Sequence, residues 1–248
     1  MVTLETLFNH AQRARLYRAI PMRYSCRAYR AAPSMADWAA LSYAAGRYVL
    51  PGARLILMRV GETLFTGTLL SMGRITGCTA IAAVIASTEV GRGKMNAGIL
   101  GEALCLEAVS MGLGCCWVSG TYRKKMLSLP LKSGEALIAV IALGVPEKVT
   151  SPDTRRRKSL ERLCKGDPSR WPEEPRCAAI AVQAAPSAMN MQPWSMALEA
   201  NRFILDASDR AQLDLGIALT HAELALQSPH HWHYASTRKD PAAWAEAT

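Results

Sequence analysis

The sequence has no apolar run long enough to cross a membrane: a nearly apolar stretch such as Cys78 to Ala86 is about half of the ~20 residues a spanning helix needs. Met1 to His10 lacks the basic stretch and following apolar stretch of an export signal. The dinucleotide fingerprint G-x-G-x-x-G and the phosphate loop G-x-x-x-x-G-K-[ST] are both missing. The seven cysteines, at 26, 78, 105, 115, 116, 164 and 177, are odd in number and show no C-x-x-C spacing. The adjacent Cys115 and Cys116 would be strained as a disulfide. Reduced thiols and a cytoplasmic location are therefore expected, with no membrane partner. Acidic residues are the scarcer charge, 20 against 29 basic, for a net charge of +9. The excess is not laid out for nucleic acid, because only Arg155-Arg156-Arg157-Lys158 is densely basic and finger, basic-zipper and aromatic-basic RNA motifs are absent. An anionic small ligand fits this charge better than nucleic acid does.

What is present is ordinary globular composition: 248 residues, half of them apolar, with 17 Gly and 13 Pro. Apolar periodicity predicts a helix over Leu4 to Arg18, ended by Pro21, and a second from Ser34 or Met35 to Gly46 with Ser34 as cap. Arg54 to Val60 and Thr63 to Leu69 read as a hairpin around Gly61-Glu62. Cys78 to Ser87 has the unbroken apolar character of a strand covered on both faces. Ala97 to Leu113 is apolar nearly all round and predicts a buried helix, followed by central strands at Cys115 to Val118 and Ala136 to Leu143. Pro146 to Arg176 is rich in charge and Pro and reads as a traverse over the surface. Beyond it come a helix from Cys177 to Ala185, a hairpin of Ser195 to Glu199 with Phe203 to Leu205, and a helix from Asp214 to Leu226. The helix, Pro, strand, turn, strand order around Pro193 repeats the one around Pro51, an offset of 142 that aligns Leu55-Ile56 with Ala197-Leu198; Gly98-Ile99 likewise matches Gly216-Ile217. Residues 1–146 then form a first half, 147–176 a basic traverse and 177–248 a shortened second half, together one compact domain.

Three segments carry chemistry. Arg23-Tyr24-Ser25-Cys26-Arg27 sets two guanidinium forks around a hydroxyl, suited to a phosphate, although taken alone it equally describes two surface arginines. Ala185-Pro186-Ser187-Ala188-Met189-Asn190-Met191-Gln192-Pro193-Trp194 is stiffened by flanking prolines and offers hydroxyl and amide groups to the edge of a planar heterocycle. Gly112-Leu113-Gly114-Cys115-Cys116-Trp117-Val118-Ser119-Gly120 is a strand between glycine turns, where backbone can approach a ligand closely. Cysteine catalysis is not expected, since no nearby histidine supplies a base. The tail histidines His230, His231 and His233 lack a neighbouring carboxylate or thiol in sequence, so no metal is expected, and His221 reads as a packed helix residue.

Together with the Ala142-Leu143-Gly144-Val145-Pro146 strand end and its basic follower, these segments resemble the FMN-dependent nitroreductase family over roughly residues 10 to 226. The Pro-Ser-x-x-Asn-x-Gln-Pro-Trp element is the most specific part. In the usual member it follows the Arg-x-Ser-x-Arg segment within one unit, and two subunits share each flavin. Here it comes only after the basic traverse, while Ala45 to Pro51 stands in its place in the first half, so the chain resembles the fused, single-chain branch. The resemblance implies an α/β chain of α+β type, a three-layer α-β-α sandwich with a mixed, mostly antiparallel central sheet made of two degenerate repeats. It implies one FMN per chain in a monomer that is an internal pseudo-dimer, NAD(P)H as co-substrate, and ping-pong passage of two electrons to a small-molecule acceptor such as a nitroaromatic or quinone. A flavin carrier or redox sensor without turnover is the alternative. Carried over by motif, Arg23, Arg27 and two of residues 155 to 158, taken as Arg155 and Arg157, would hold the phosphate. Tyr24 belongs to the same segment, and Ser25 would meet the ribityl chain. Trp117, Val118, Ser119 and Gly120 would pass along the ring, and Pro186, Ser187 and Asn190 would cover its other side. No catalytic side chain is implied.

Overall fold

An unbroken apolar run can be a strand only where both of its faces are covered, and the structure, a computed structural model described over residues 3–65, 74–150, 156–234 and 242–247, builds its first sheet on such a run. In chain order the elements are α1 (His10–Ala19), β1 (Tyr29–Ala31), α2 (Met35–Arg47), β2 (Ala53–Arg59), β3 (Ala80–Ser87), α3 (Gly93–Ser110), β4 (Gly114–Val118) and β5 (Glu135–Pro146). There follow α4 (Leu160–Leu163), α5 (Glu173–Ala184), β6 (Trp194–Glu199), β7 (Arg202–Ala207), α6 (Gln212–Ala225), β8 (His230–Tyr234) and β9 (Ala243–Ala247). β3 lies between β2 and β5, and β5 also pairs with β4 and, at its end, with β1, all antiparallel. Along β3, Ala80, Ala82, Val84 and Ala86 enter the main core. Ile81 and Ala83 join Cys26, Tyr29, Leu64, Phe65 and Val140 in a smaller cluster. The period of two within an all-apolar run therefore sorts side chains between two covered faces.

The second sheet runs β6-β7-β9-β8, again antiparallel. α3 packs on the first sheet and α6 packs on α3 and on β7, so the two central helices form a layer between the sheets. They are apolar nearly all round because neither has a solvent face: α3 is buried from Met95 through Val109 and α6 from Asp214 through Ala225. They cross at Gly98 and Gly216. A Cβ at Gly98 would lie 2.2 Å from the Leu213 carbonyl oxygen, and one at Gly216 would lie 1.9 Å from that of Met95. Only glycine permits this backbone approach. Ser34 caps α2 as expected, in a reciprocal capping box with Asp37. Asn9 caps α1 in the same way with Gln12.

The α+β class is found, with differences in its parts. Among the described residues the strands divide between two sheets with helices between them instead of forming one central sheet, and parallel pairing is confined to isolated bridges such as Ser25 with Cys115. The first helix starts at His10, preceded by turns in which Leu4, Leu7 and Phe8 are buried. The hairpin expected at 54–69 is not seen among the described residues. β2 pairs with β3, Glu62–Leu64 is a 3-10 turn, Phe65 makes a single bridge to Tyr122, and residues 66–69 lie outside the described residues. Leu64 and Phe65 are buried under the outer face of the first sheet, and that burial outweighs the alternating pattern that suggested a strand. Among the described residues the order helix, Pro, strand, turn, strand is thus completed only around Pro193, where β6 and β7 pair across Ala200-Asn201 as predicted. The traverse is less bare than its composition suggests, since α4 and a 3-10 turn at Pro168–Arg170 interrupt it and Leu163 is buried. The tail histidines sit on strand β8; His233 stacks on Trp244 and His230 contacts Glu223.

Candidate functional site

Pro21 stops α1, and the chain then runs extended beside β4, where the Cys26 amide donates to the Cys115 carbonyl at 3.0 Å. Gly114 makes room for it, since a Cβ there would fall 2.6 Å from Cys26 Sγ. The Tyr29 hydroxyl donates to the Cys26 carbonyl at 2.7 Å and pins the bend. The segment Arg23–Arg27 is thereby fixed next to the exit of β4, where Val118 hands over to Ser119 and Gly120.

The opposite wall comes from the far end of the chain. After α5, Pro186 leads into a loop in which Met189, Asn190 and Gln192 have φ of 51°, 56° and 45°. Left-handed backbone at three non-glycine residues of four needs support from its surroundings. The Gln192 amide donates to Ser187 Oγ at 2.8 Å, and the Ala188 amide donates to Asp214 Oδ1 at 2.9 Å. The basic segment supplies more contacts: the Lys158 amide donates to Gln192 Oε1 at 2.9 Å and Lys158 Nζ to the Gln192 carbonyl at 3.0 Å.

Between these walls is a cavity of about 640 Å³. Of the residues singled out in the sequence, Arg23, Tyr24, Ser25, Arg27, Trp117, Val118, Ser119, Gly120, Arg157, Pro186, Ser187 and Asn190 all line it, and Arg155 lies outside the described residues. Arg156 lies beside Arg157 on the lining. Arg27 makes one long contact of 3.4 Å to the Ser25 carbonyl. Cys116 also lines the cavity, but burial pushes its thiol up to about 11, so it is no nucleophile at neutral pH.

Behind the lining is a buried polar cluster. Glu102, fully buried on α3, accepts from Trp117 Nε1 at 2.8 Å and contacts His221 Nε2 at 2.9 Å. Arg23 Nε is 3.7 Å from the same carboxylate, and the other His221 nitrogen meets the Ala181 carbonyl at 2.8 Å. Burial opposes the Arg23 charge, yet Glu102 holds its pKa above the ordinary value. The Arg23 guanidinium therefore sits in the wall, about 1% exposed, and its charge is partly answered there. Asp214, also on the lining, has its pKa raised by burial against the lowering effect of the Ala188 amide. Glu102 and Asp214 were missed in the sequence. The available signal was a charge inside a helix with no polar face, which demands a buried partner.

The family model described as "Putative TM nitroreductase" matches residues 15–226. The chain belongs to this nitroreductase family. A putative nitroreductase of Thermotoga maritima has the same fold, at 19% identity and a TM-score of 0.62, with 94% of this chain and 93% of that chain covered. An FMN-bound nitroreductase of Desulfitobacterium hafniense is similar at 17% identity, a TM-score of 0.43, and 58% and 98% coverage. A putative NADH dehydrogenase/NAD(P)H nitroreductase of Parabacteroides distasonis aligns at 17% identity, a TM-score of 0.47, and 61% and 98% coverage. No curated protein matches the chain. Among the described residues of this nitroreductase-family chain, no helix is long and apolar enough to cross a membrane.

Proposed function

We propose that the cavity holds FMN and that the chain is an FMN-dependent oxidoreductase, drawing electrons from NAD(P)H and passing two of them to a nitroaromatic, quinone or similar small acceptor. The observation that carries this reading is the composition of one cavity. Arg27, Arg156, Ser25, Ser119 and Thr121 meet Val118, Leu213 and Ile217 there, a lining of cations and hydroxyls beside apolar side chains. Its volume of about 640 Å³ falls within the ~300–1,000 Å³ of small-molecule sites. An anionic, amphipathic, planar ligand fits it.

In this reading Arg27 and Arg156 take the phosphate, and Ser25 meets the ribityl chain. Val118, Ser119 and Gly120 border the ring with backbone amides, and Pro186, Ser187 and Asn190 build the wall opposite. Trp117, held by Glu102, and the apolar face of α6 exclude water. Arg23 adds positive potential from within the wall, which favours negative charge accumulating in the cavity. Bound FMN supplies the two-electron chemistry, so no nucleophile or acid-base dyad is required of the protein. One FMN per chain, in a monomer, is part of this reading, and it is supported by a cavity that Arg23–Arg27, Trp117–Gly120 and Pro186–Asn190 line together.

The test is an absorbance spectrum after incubation with FMN and desalting, then anaerobic addition of NADPH and of NADH. Retained flavin near one per chain, bleached by either nucleotide, is expected. Retained flavin that neither nucleotide bleaches replaces turnover with the carrier or sensor role, and no retained flavin overturns the cofactor assignment. Arg27→Ala should weaken FMN binding by the ~1.5–3 kcal/mol of a charge-assisted hydrogen bond, roughly ten- to a hundredfold, and leave riboflavin binding nearly unchanged.

A further inference from the structure

We propose that Arg157 and Asn190 are a latch that shapes the cavity wall, and that neither side chain reads the ligand. Both polar atoms of the Asn190 amide are already engaged by the basic segment. Its Oδ1 accepts from Arg157, and its Nδ2 donates to the Arg156 carbonyl at 2.8 Å. The two partners have opposite polarity, so they fix the amide in one orientation. The second terminal nitrogen of Arg157 donates to the carbonyl of Ala184 at 3.0 Å. Ala184 ends α5, where helix carbonyls lack partners within the helix. One guanidinium thus ties the end of α5 to the tip of the left-handed loop that follows it.

The loop needs that tie. Asn tolerates a left-handed backbone, but Met189 and Gln192 do so less readily. Gln192 is held from the same basic segment, through Lys158, and Gln183 Nε2 donates to the Lys158 carbonyl at 2.9 Å. Residues 156–158 therefore set the course of residues 183–192, and through them the position of Pro186 and Ser187 on the cavity. Arg157 and Asn190 are positioning residues: losing either breaks the bond they share and loosens the same loop.

The ligand arm of the test rests on the FMN reading, and the exchange arm does not. Arg157→Ala, Asn190→Ala and the double variant are titrated with FMN and with riboflavin by flavin fluorescence, and amide exchange over residues 187–192 is followed in flavin-free protein. The latch predicts that each single variant loses affinity for both flavins by a similar factor, on the order of tenfold for one lost charge-assisted bond. The double variant should lose less than the product of the two single losses, since the bond between the two residues is counted in both. Exchange over 187–192 should quicken in all three variants while the melting temperature of the rest of the chain holds. A loss confined to FMN in Arg157→Ala would assign that residue to the phosphate and overturn the proposal, as would additive losses or unchanged exchange. If the wild type binds neither flavin, the cofactor reading fails and the exchange arm alone decides the latch.

Discussion

Glu135, at the start of β5, receives Arg54 of β2 through both carboxylate oxygens, at 2.8 and 2.7 Å, and the Lys132 amide at 2.8 Å. Arg54 beside it, with the amide, holds its pKa at about 2, down from 4.5. Between those values the unfolded chain binds a proton that the folded chain does not, so stability rises with pH there. The contribution of this pair is complete above about pH 4.5 and is lost as pH falls through about 2. Glu135→Gln is expected to flatten that part of the acid limb in urea unfolding between pH 2 and 6; an unchanged slope would disprove the assignment. Little of this was legible in the sequence, because Arg54 and Glu135 are brought together only by the pairing of β2 and β5 on either side of β3. The residues of the candidate site were far more legible. Arg27, Ser25, Ser187 and Asn190 are polar groups in short stiff segments that the core does not require, and such groups stand out. Glu102 did not stand out, since its partners Trp117, Arg23 and His221 come from three other parts of the chain.

At the scale of elements, the central helices were readable because burial on all sides leaves a plain mark, unbroken apolarity. β3, β4 and β5 were readable for the same reason. Glu62 to Phe65, expected as part of a strand, show the limit: alternation records that a residue is half covered, and a 3-10 turn lying on a sheet covers Leu64 and Phe65 as well as a strand would. The crossing of α3 and α6 permits a sharper prediction. Gly216→Ala gains about 1 kcal/mol of helix propensity but drives its Cβ to within 1.9 Å of a backbone oxygen that no rotamer change can move. Overpacking of roughly 1–3 kcal/mol or more outweighs that gain, since the helices themselves must part, and a net loss of about 2 kcal/mol is expected. Gly46→Ala in α2, with nothing within 4 Å of its Cβ, should instead stabilise by up to about 1 kcal/mol. Urea midpoints of the two variants moving in the same direction would show that the crossing is looser than described.

Across the whole molecule, the main core is one cluster that runs from Leu4 to Ala245, so no apolar boundary separates the two ends of the sequence. Charges reinforce the continuity. Within and just after α1, Arg13 reaches Glu223 on α6, Arg15 reaches Glu107 on α3 at 2.5 Å, and Arg23 lies beside Glu102 on α3. His221 on α6 closes the set on Glu102. The N-terminal helix therefore stitches both central helices, and each stitch ends on a carboxylate with almost no exposure. Removing one partner of such a pair leaves a buried charge unanswered and costs about 3–5 kcal/mol, a large share of a stability of ~5–15 kcal/mol. Unfolding is accordingly expected in one transition. Far-UV circular dichroism follows the helices, while tryptophan fluorescence is weighted to the C-terminal part, where four of the six tryptophans lie at 171, 194, 232 and 244. Their urea curves should superimpose, and Glu102→Ala should move both midpoints down together. Fluorescence that changes before ellipticity, or a Glu102→Ala variant that shifts one probe alone, would mean that the C-terminal part folds as a separate unit and that the shared carboxylates do not couple it to the rest.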